Sequence, residues 1–448
     1  MSYAAAIQEL FSLAGELHAP AGKPRRKFDL GQMRTLTEGL GHPERMFPSV
    51  LVAGTNGKGS TSATLASILS HAGYRVGLYT SPHLSRVNER IQFLNAGGAP
   101  TLISDDDFAA CYFRVDDCAR KLVSEGKLEA FPSFFEAMTA LAFVAFAEQQ
   151  VDIAVLEVGM GGRLDATNIV EPLVSVITDI SLDHTDWLGD TITAIAGEKA
   201  GILRPDGVLV TLPQHPEANQ AIGEAAVSKN VRGINAADYL PGRDGAAADG
   251  SYRIKAMGEE IEVRSPLSGS HQQRNIALAI ATAIELSNRN GYKLKPSQIS
   301  MGIAGTKWPG RLERFVREDR ADVLIDVAHN PAGAWALRSA LSHLDPEPKS
   351  MTLVFGCLRD KAVAEIAQIL FPLFNKVVLT EVESPRRASM AEMQEAAAAT
   401  GADTSEASDV ADALKQAWES TPSGGLVVAT GSVYLIGAVR DSLAGASA

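Results

Sequence analysis

Apolar residues fall in short runs separated by amphipathic stretches, and this alternation repeats along the chain. An apolar run at 49–53 stops at a glycine-rich turn, Gly54-Thr55-Asn56-Gly57-Lys58-Gly59-Ser60-Thr61, and a helical pattern follows to about Gly73. The spacing predicts further strands at 75–80, 151–158, 173–178 and 208–212, with helices at 105–125, 133–149 and 192–200. A hairpin at 252–263 and a helix at 268–288 come next. After 306–311, which reads as a hinge, a second alternation begins. It predicts strands at 323–326, 351–355, 376–380 and 426–429, and helices at 331–344, 361–370, 389–399 and 409–419, with one more at the end. Helical spacing also marks 1–17 and 28–40. Strands alternating with helices imply parallel sheets that bind ligands at the carboxyl ends of their strands. The polar motifs of the first alternation fall at such ends, which points to one shared site.

At 448 residues the chain exceeds the usual limit of a single core, so two domains are expected. A net charge of −12 argues against non-specific nucleic-acid binding. Cys111, Cys118 and Cys357 form neither a Cys-x-x-Cys pair nor a disulfide framework, which suits a reducing cytoplasm. The first helical stretch has no basic flank and is interrupted by Glu9 and Glu16, so it reads as a docking helix rather than a targeting segment. The apolar run at 137–147 is too short to span a bilayer, and no membrane association is expected. The basic loop 22–27 is either solvated or faces an anionic ligand.

The turn at 54–61 has the parts of a phosphate-binding loop. Its glycines let backbone N–H groups converge on phosphate oxygens at a helix N-terminus, Lys58 reaches the β- and γ-phosphates, and the Ser60 hydroxyl is placed for Mg²⁺. The general pattern has Ser or Thr directly after Gly-Lys, whereas here Gly59 intervenes. Glu157 ends a buried strand, where a carboxylate needs a cation: Mg²⁺, or a salt bridge to Arg163 or Lys199. His184 follows Asp183 in a strand-end loop, as a metal ligand or a structural hydrogen-bonding group. Lys199, on a predicted helix, reads by itself as a surface lysine. Asp326 and His329 stand between a strand and a helix, either capping the helix or positioning a nucleotide or substrate.

Taken together these stretches resemble the Mur ligase superfamily, and closely its folylpolyglutamate synthase/dihydrofolate synthase branch. The resemblance is carried by Gly54–Ser60, Thr80-Ser81-Pro82-His83-Leu84, the run from Leu156 to Asn168, Asp183-His184, Gly197–Ile202, Pro309-Gly310-Arg311 and Asp326–Pro331. It implies an α/β fold with an N-terminal P-loop ATPase-like parallel-sheet domain, 1–305, and a smaller C-terminal Rossmann-like α/β domain, 306–448. It implies an ATP-dependent ligase that phosphorylates a carboxylate and lets L-glutamate displace the phosphate. The acceptors it implies are 7,8-dihydropteroate and reduced folates.

The resemblance also implies site roles. Gly54, Thr55, Asn56, Gly57, Lys58, Gly59, Ser60, Thr61, Asn275, Arg311 and Asp326 would contact the nucleotide, and Lys58, Lys199, Asp326 and His329 would serve catalysis. One Mg²⁺ would lie between Ser60 and Glu157 and a second at Ser81, Glu157 and His184, helped by a carbamylated Lys199. Phe28, Asp29, Leu30, Pro82 and His83 would contact the folate. Bifunctional members often read Asp-Leu-Gly-Leu-Glu-Arg where this chain has Asp29-Leu30-Gly31-Gln32-Met33-Arg34, which leaves the pterin-side substrate open. Relatives commonly carry Asp after the lysine of Arg359-Asp360-Lys361-Ala362, and no role is assigned to that loop. The alternatives are polyglutamylation alone, another Mur-type amide ligase, or a nucleotide-binding regulatory module. The joint presence of Lys58, Glu157, His184, Lys199, Asp326 and His329 speaks against the last. A cleft between domains of one chain needs no partner subunit, so a monomer is expected.

Overall fold

The computed structural model describes residues 2–13, 29–242, 245–247 and 249–445. The basic loop 22–27, Phe28 and the end of the first predicted helix lie outside the described residues. An eight-stranded sheet contains β1 (Ser49–Ala53), β2 (Val76–Tyr79), β3 (Ile91–Leu94), β4 (Thr101–Leu102), β5 (Ile153–Glu157), β6 (Val174–Ile177), β7 (Val208–Thr211) and β8 (Arg232–Asn235). Its order is β4-β3-β2-β5-β1-β6-β7-β8. All neighbours are parallel except the β2–β3 and β3–β4 pairs, which make an antiparallel edge. A separate hairpin joins β9 (Tyr252–Ala256) and β10 (Glu259–Val263).

The pleat of β1 sorts its side chains onto two cores. Leu51 and Ala53 face one, with α1 (Tyr3–Ser12), α2 (Leu30–Gly39), α4 (Asp105–Ser124), α5 (Phe134–Glu148), α7 (Ile192–Ala200) and α8 (Pro216–Ser228). Val50 and Val52 face the other, with α3 (Lys58–His71), α9 (Ser270–Arg289), α10 (Pro296–Ala304) and the hairpin. The one-turn helix α6 (Thr185–Leu188) lies in the loop between β6 and α7. Local signals set several helix starts. Ser104 caps α4 ahead of three aspartates that complement the helix dipole, and Ser133 with Glu136 forms a capping box on α5.

The second sheet has the order β11-β12-β16-β13-β14-β15. Its strands are β11 (Glu313–Phe315), β12 (Asp322–Ile325), β13 (Met351–Phe355), β14 (Lys376–Thr380), β15 (Thr404–Ala407) and β16 (Leu426–Thr430), parallel except for β11. One face packs α11 (Pro331–Leu341), α12 (Val363–Leu370) and α13 (Met390–Ala398); the other packs α14 (Val410–Ser420) and α15 (Val433–Gly445). The pattern of apolar runs does not predict β3, β4, β8, β11 or β15. These are short and mostly at sheet edges, and β4, β8 and β15 carry largely exposed residues without the apolar run that marks a central strand. The helices α8 and α10 are also additions.

The two sheets share no strand, and α15 reaches across to the loop after β2. A Cβ at Gly437 would lie 2.2 Å from the carbonyl oxygen of Leu84. One turn further on, the Ser85 hydroxyl donates to Asp441 at 2.8 Å. A glycine is therefore required for α15 to lie against the backbone that carries Ser81, Pro82 and His83. Gly437→Val should displace that loop and lower kcat/KM about tenfold or more, since small misplacements of a positioning element are expensive. Unchanged far-ultraviolet circular dichroism alongside the kinetic loss would separate this from unfolding.

Candidate active site

The phosphate-loop segment leaves the carboxyl end of β1, between β5 and β6. Thr55 and Asn56 donate their N–H groups to the carbonyl of Asp179, whose carboxylate is gripped by both arms of Arg274 on α9. Gly57 precedes α3 with φ of 90°, and a Cβ there would meet the Asn275 side chain at 2.1 Å. No side chain caps α3, so its first N–H groups remain available to an anion. Lys58 Nζ folds back to the Thr55 carbonyl at 3.2 Å. A Cβ at Gly59 would lie 2.7 Å from the ring of Trp308, a residue of the connection between the sheets.

The next strand end brings Glu157 beside Ser81. Glu157 is 4 % exposed and accepts the Ser81 N–H at 3.2 Å. Burial pushes its carboxyl above the ordinary carboxylate range, against the pull of Lys58, Arg311 and Arg90. Among the described residues it has no ion pair. Arg163 is bound to Glu198 instead, and Lys199 Nζ donates to the Gly54 carbonyl at 2.7 Å, so neither salt bridge open to Glu157 in the sequence forms. Lys199 is not a surface lysine: it is 4 % exposed, and burial together with Lys58 lowers its ammonium to about 7. Burial, with Lys361 next, lowers His184 to about 4, which leaves the ring neutral at neutral pH.

The second sheet contributes from the ends of β12 and β13. Asp326 accepts N–H groups from Leu312 and Ala328, which ties the loop carrying Arg311 to the one carrying His329. Neither Asp326 nor His329 caps α11; Asn330 does, accepting the Gly333 N–H at 2.8 Å. The Asn330 amide also donates to Asn56 at 3.0 Å and to Asp183 at 3.2 Å. His329 Nδ1 lies 2.8 Å from the Val327 carbonyl and its Nε2 lies 3.7 Å from Asp183; burial and Lys361 lower the ring to about 4. The strongest link is Lys361 Nζ to Asp183 at 2.6 Å, with side chains 6 % and 9 % exposed. Burial works against the Asp183 charge, yet Lys361, His184 and His329 hold it below the usual carboxylate range.

The structure thus gathers Lys58, Glu157, His184 and Lys199, each within reach of another's field, and adds Arg311, Asp326 and His329 from the far side. Asn275 lies against Gly57. Asp29 is spent on capping α2, and among the described residues no hydrogen bond or ion pair ties Asp29 or Leu30 to this cluster. Sequence reasoning missed Lys361, Asn330 and Arg274. All three stood inside or beside stretches already singled out, but their partners are distant in the chain.

A nucleotide phosphate fits the uncapped start of α3. The donor set also fits Mg²⁺. A buried carboxylate without an ion pair, a neutral imidazole and the hydroxyls of Ser60 and Ser81 suit an ion that keeps water and takes phosphate oxygens. Among the described residues no three His, Cys, Asp or Glu side chains form a cage of their own.

Comparison with known proteins places both halves of the chain among Mur ligases. The Mur ligase middle domain matches residues 119–283, and the Mur ligase glutamate ligase domain matches 310–433. A dihydrofolate synthase/folylpolyglutamate synthase of Bacillus subtilis is 35 % identical over 418 residues, covering 92 % of this chain and 94 % of that one. The solved folylpolyglutamate synthase of Mycobacterium tuberculosis complexed with ADP superposes with a TM-score of 0.87 at 33 % identity, covering 98 % and 99 % of the two chains. E. coli FolC in complex with DHPP and ADP superposes with a TM-score of 0.81 at 28 % identity, covering 99 % and 98 %.

Lys361→Met removes one member of a buried ion pair and leaves Asp183 uncompensated. Denaturant unfolding should show a loss of about 3–5 kcal/mol, much of it restored by adding Asp183→Asn. Equal stability of the single variant and the wild type would show that the pair contributes nothing to the domain contact.

Proposed function

Because the chain belongs to the folylpolyglutamate synthase/dihydrofolate synthase branch of the Mur ligases, we propose that it carries both activities of that branch. It is an ATP-dependent amide-bond-forming ligase that joins glutamate to folates. The acceptors in this reading are 7,8-dihydropteroate and tetrahydrofolates, with L-glutamate as the incoming amine. Residues 1–305 would bind ATP and the folate acceptor, and 306–448 would bring the amino acid. The observation that supports the reading best is the buried Glu157 carboxylate, without an ion pair, at a strand end beside the phosphate loop.

In this mechanism the start of α3 and Lys58 hold the phosphates of ATP, and Asn275 and Arg311 hold the rest of the nucleotide. Ser60 and Glu157 would hold one Mg²⁺, and Ser81, Glu157, His184 and Lys199 a second; the ions supply charge neutralisation at the phosphoryl oxygens. The acceptor carboxylate attacks the γ-phosphorus and becomes an acyl phosphate, and ADP leaves. The amine of L-glutamate then attacks the acyl carbon, and phosphate leaves as the amide forms. The chain's part is to align these groups and to exclude water. His329, with its proton on the Nδ1 that faces the Val327 carbonyl, presents Nε2 as an acceptor for an N–H of the incoming amine.

Lys199 has a special position. An ammonium here would repel a metal ion. Burial lowers it to about 7, so a neutral amine able to add CO₂ is well populated at neutral pH. The carbamate carries a negative charge and would help hold the second ion.

The direct test is ADP release with ATP, Mg²⁺ and L-glutamate, with 7,8-dihydropteroate in one series and tetrahydrofolate in another. Release with both is expected. Release with tetrahydrofolate alone would restrict the enzyme to polyglutamylation, and none with either would refute the ligase reading. Lys199→Ala should lose turnover and recover part of it when short carboxylic acids are added. A variant that stays inactive at every acid concentration would count against the carbamate.

A further inference from the structure

The first domain buries a second cation that the mechanism above does not use. Arg90, in the turn before β3, is 8 % exposed, and among the described residues no carboxylate pairs with it. Its Nε donates to His83 Nδ1 at 2.9 Å, and its guanidinium carbon stands 5.2 Å from the centre of the Phe134 ring. Because guanidinium can only donate, His83 accepts at Nδ1 and carries its proton on Nε2. Burial and the neighbouring guanidinium keep that imidazole neutral, lowering it to about 3. Tyr79 and Tyr434 complete the surroundings with phenols. Glu157 is close enough for its charge to act on Arg90, but it already accepts from Ser81. Among the described residues this buried guanidinium makes no ion pair at contact distance and meets a carboxylate only through the field of Glu157.

We propose that Arg90 binds the carboxylate of the folate acceptor that does not react, and so favours acceptors ending in glutamate over a bare pteroate. This rests on the ligase reading above. An acceptor that ends in glutamate has two carboxylates, and a pteroate has one. One carboxylate must reach the γ-phosphate near Lys58, and the other is then left a short carbon chain away with a full charge to neutralise. Arg90 lies on the acceptor side, between the loop of Ser81, Pro82 and His83 and the rings of Phe134 and Tyr79, beside the Glu157 end of β5. Its planar fork suits a bidentate carboxylate contact.

The test is equilibrium binding of tetrahydrofolate and tetrahydropteroate, which differ only in the glutamate, to wild type and Arg90→Met with Mg²⁺ and a non-hydrolysable ATP analogue. L-Glutamate is left out, so its own site cannot contribute. Arg90→Met should weaken tetrahydrofolate about 10–100-fold and tetrahydropteroate less than about threefold, so that the preference collapses. Arg90→Lys keeps the charge without the fork and should lose about three- to tenfold of the preference. It takes the place of the Met variant if that one melts early or loses nucleotide binding. Equal weakening of both ligands, or none, overturns the proposal. Wild type that binds neither ligand removes the ligase premise itself, and the proposal falls with it.

Discussion

Two sheets without a common strand meet over charge that neither could bury alone. The Lys361 ammonium and the Asp183 carboxylate are both withdrawn from water, and each is tolerable only because the other is present. Asn330 donates to the same carboxylate and continues the chain of contacts into the phosphate loop through Asn56. The contact between the two sheets and the candidate site are therefore built from the same polar atoms. Separating the two sheets would expose these atoms to water and break the cluster at once, whereas their contact shuts water out, as a ligase needs in order to protect an acyl phosphate from hydrolysis.

Within that enclosure one physical effect acts in opposite directions on different groups. Loss of solvent raises the Glu157 carboxyl, lowers the Lys199 ammonium and keeps His184 and His329 neutral. Asp183, surrounded by cationic and imidazole neighbours, is driven the other way from what burial alone would do. Burial thus works against charge on Glu157, Lys199 and both imidazoles, while the Asp183–Lys361 ion pair keeps its charge where the two sheets meet.

Much of this was readable in the chain because parallel sheets put polar motifs at the ends of apolar runs. The runs ending at Gly54, Glu157 and Asp326 mark strands together with candidate site residues, and β1, β5 and β12 lie where the runs predict. What escaped were features whose meaning is set by a distant partner. Nothing next to Lys361 in the chain shows its role, which follows from an aspartate 178 positions earlier. Arg274 sits next to Asn275, but only the folded chain brings it to Asp179. Lys199 looked like an ordinary helical lysine because one turn of helix does not reveal which face is covered. On the antiparallel edge, β4 is only the exposed pair Thr101 and Leu102, and the short β3 run is broken by Gln92, so neither stands out.

The intrusion of Gly59 between Lys58 and Ser60 also finds its cause in the fold. Trp308, in the segment that links the two sheets, lies so near the start of α3 that any side chain at position 59 would overlap its ring. The irregular spacing of the phosphate loop is thus a steric imprint of the interdomain connection. The two positions are therefore coupled: a hydroxyl-bearing side chain next to the lysine fits only with a smaller residue than tryptophan at position 308, so the two can change only together.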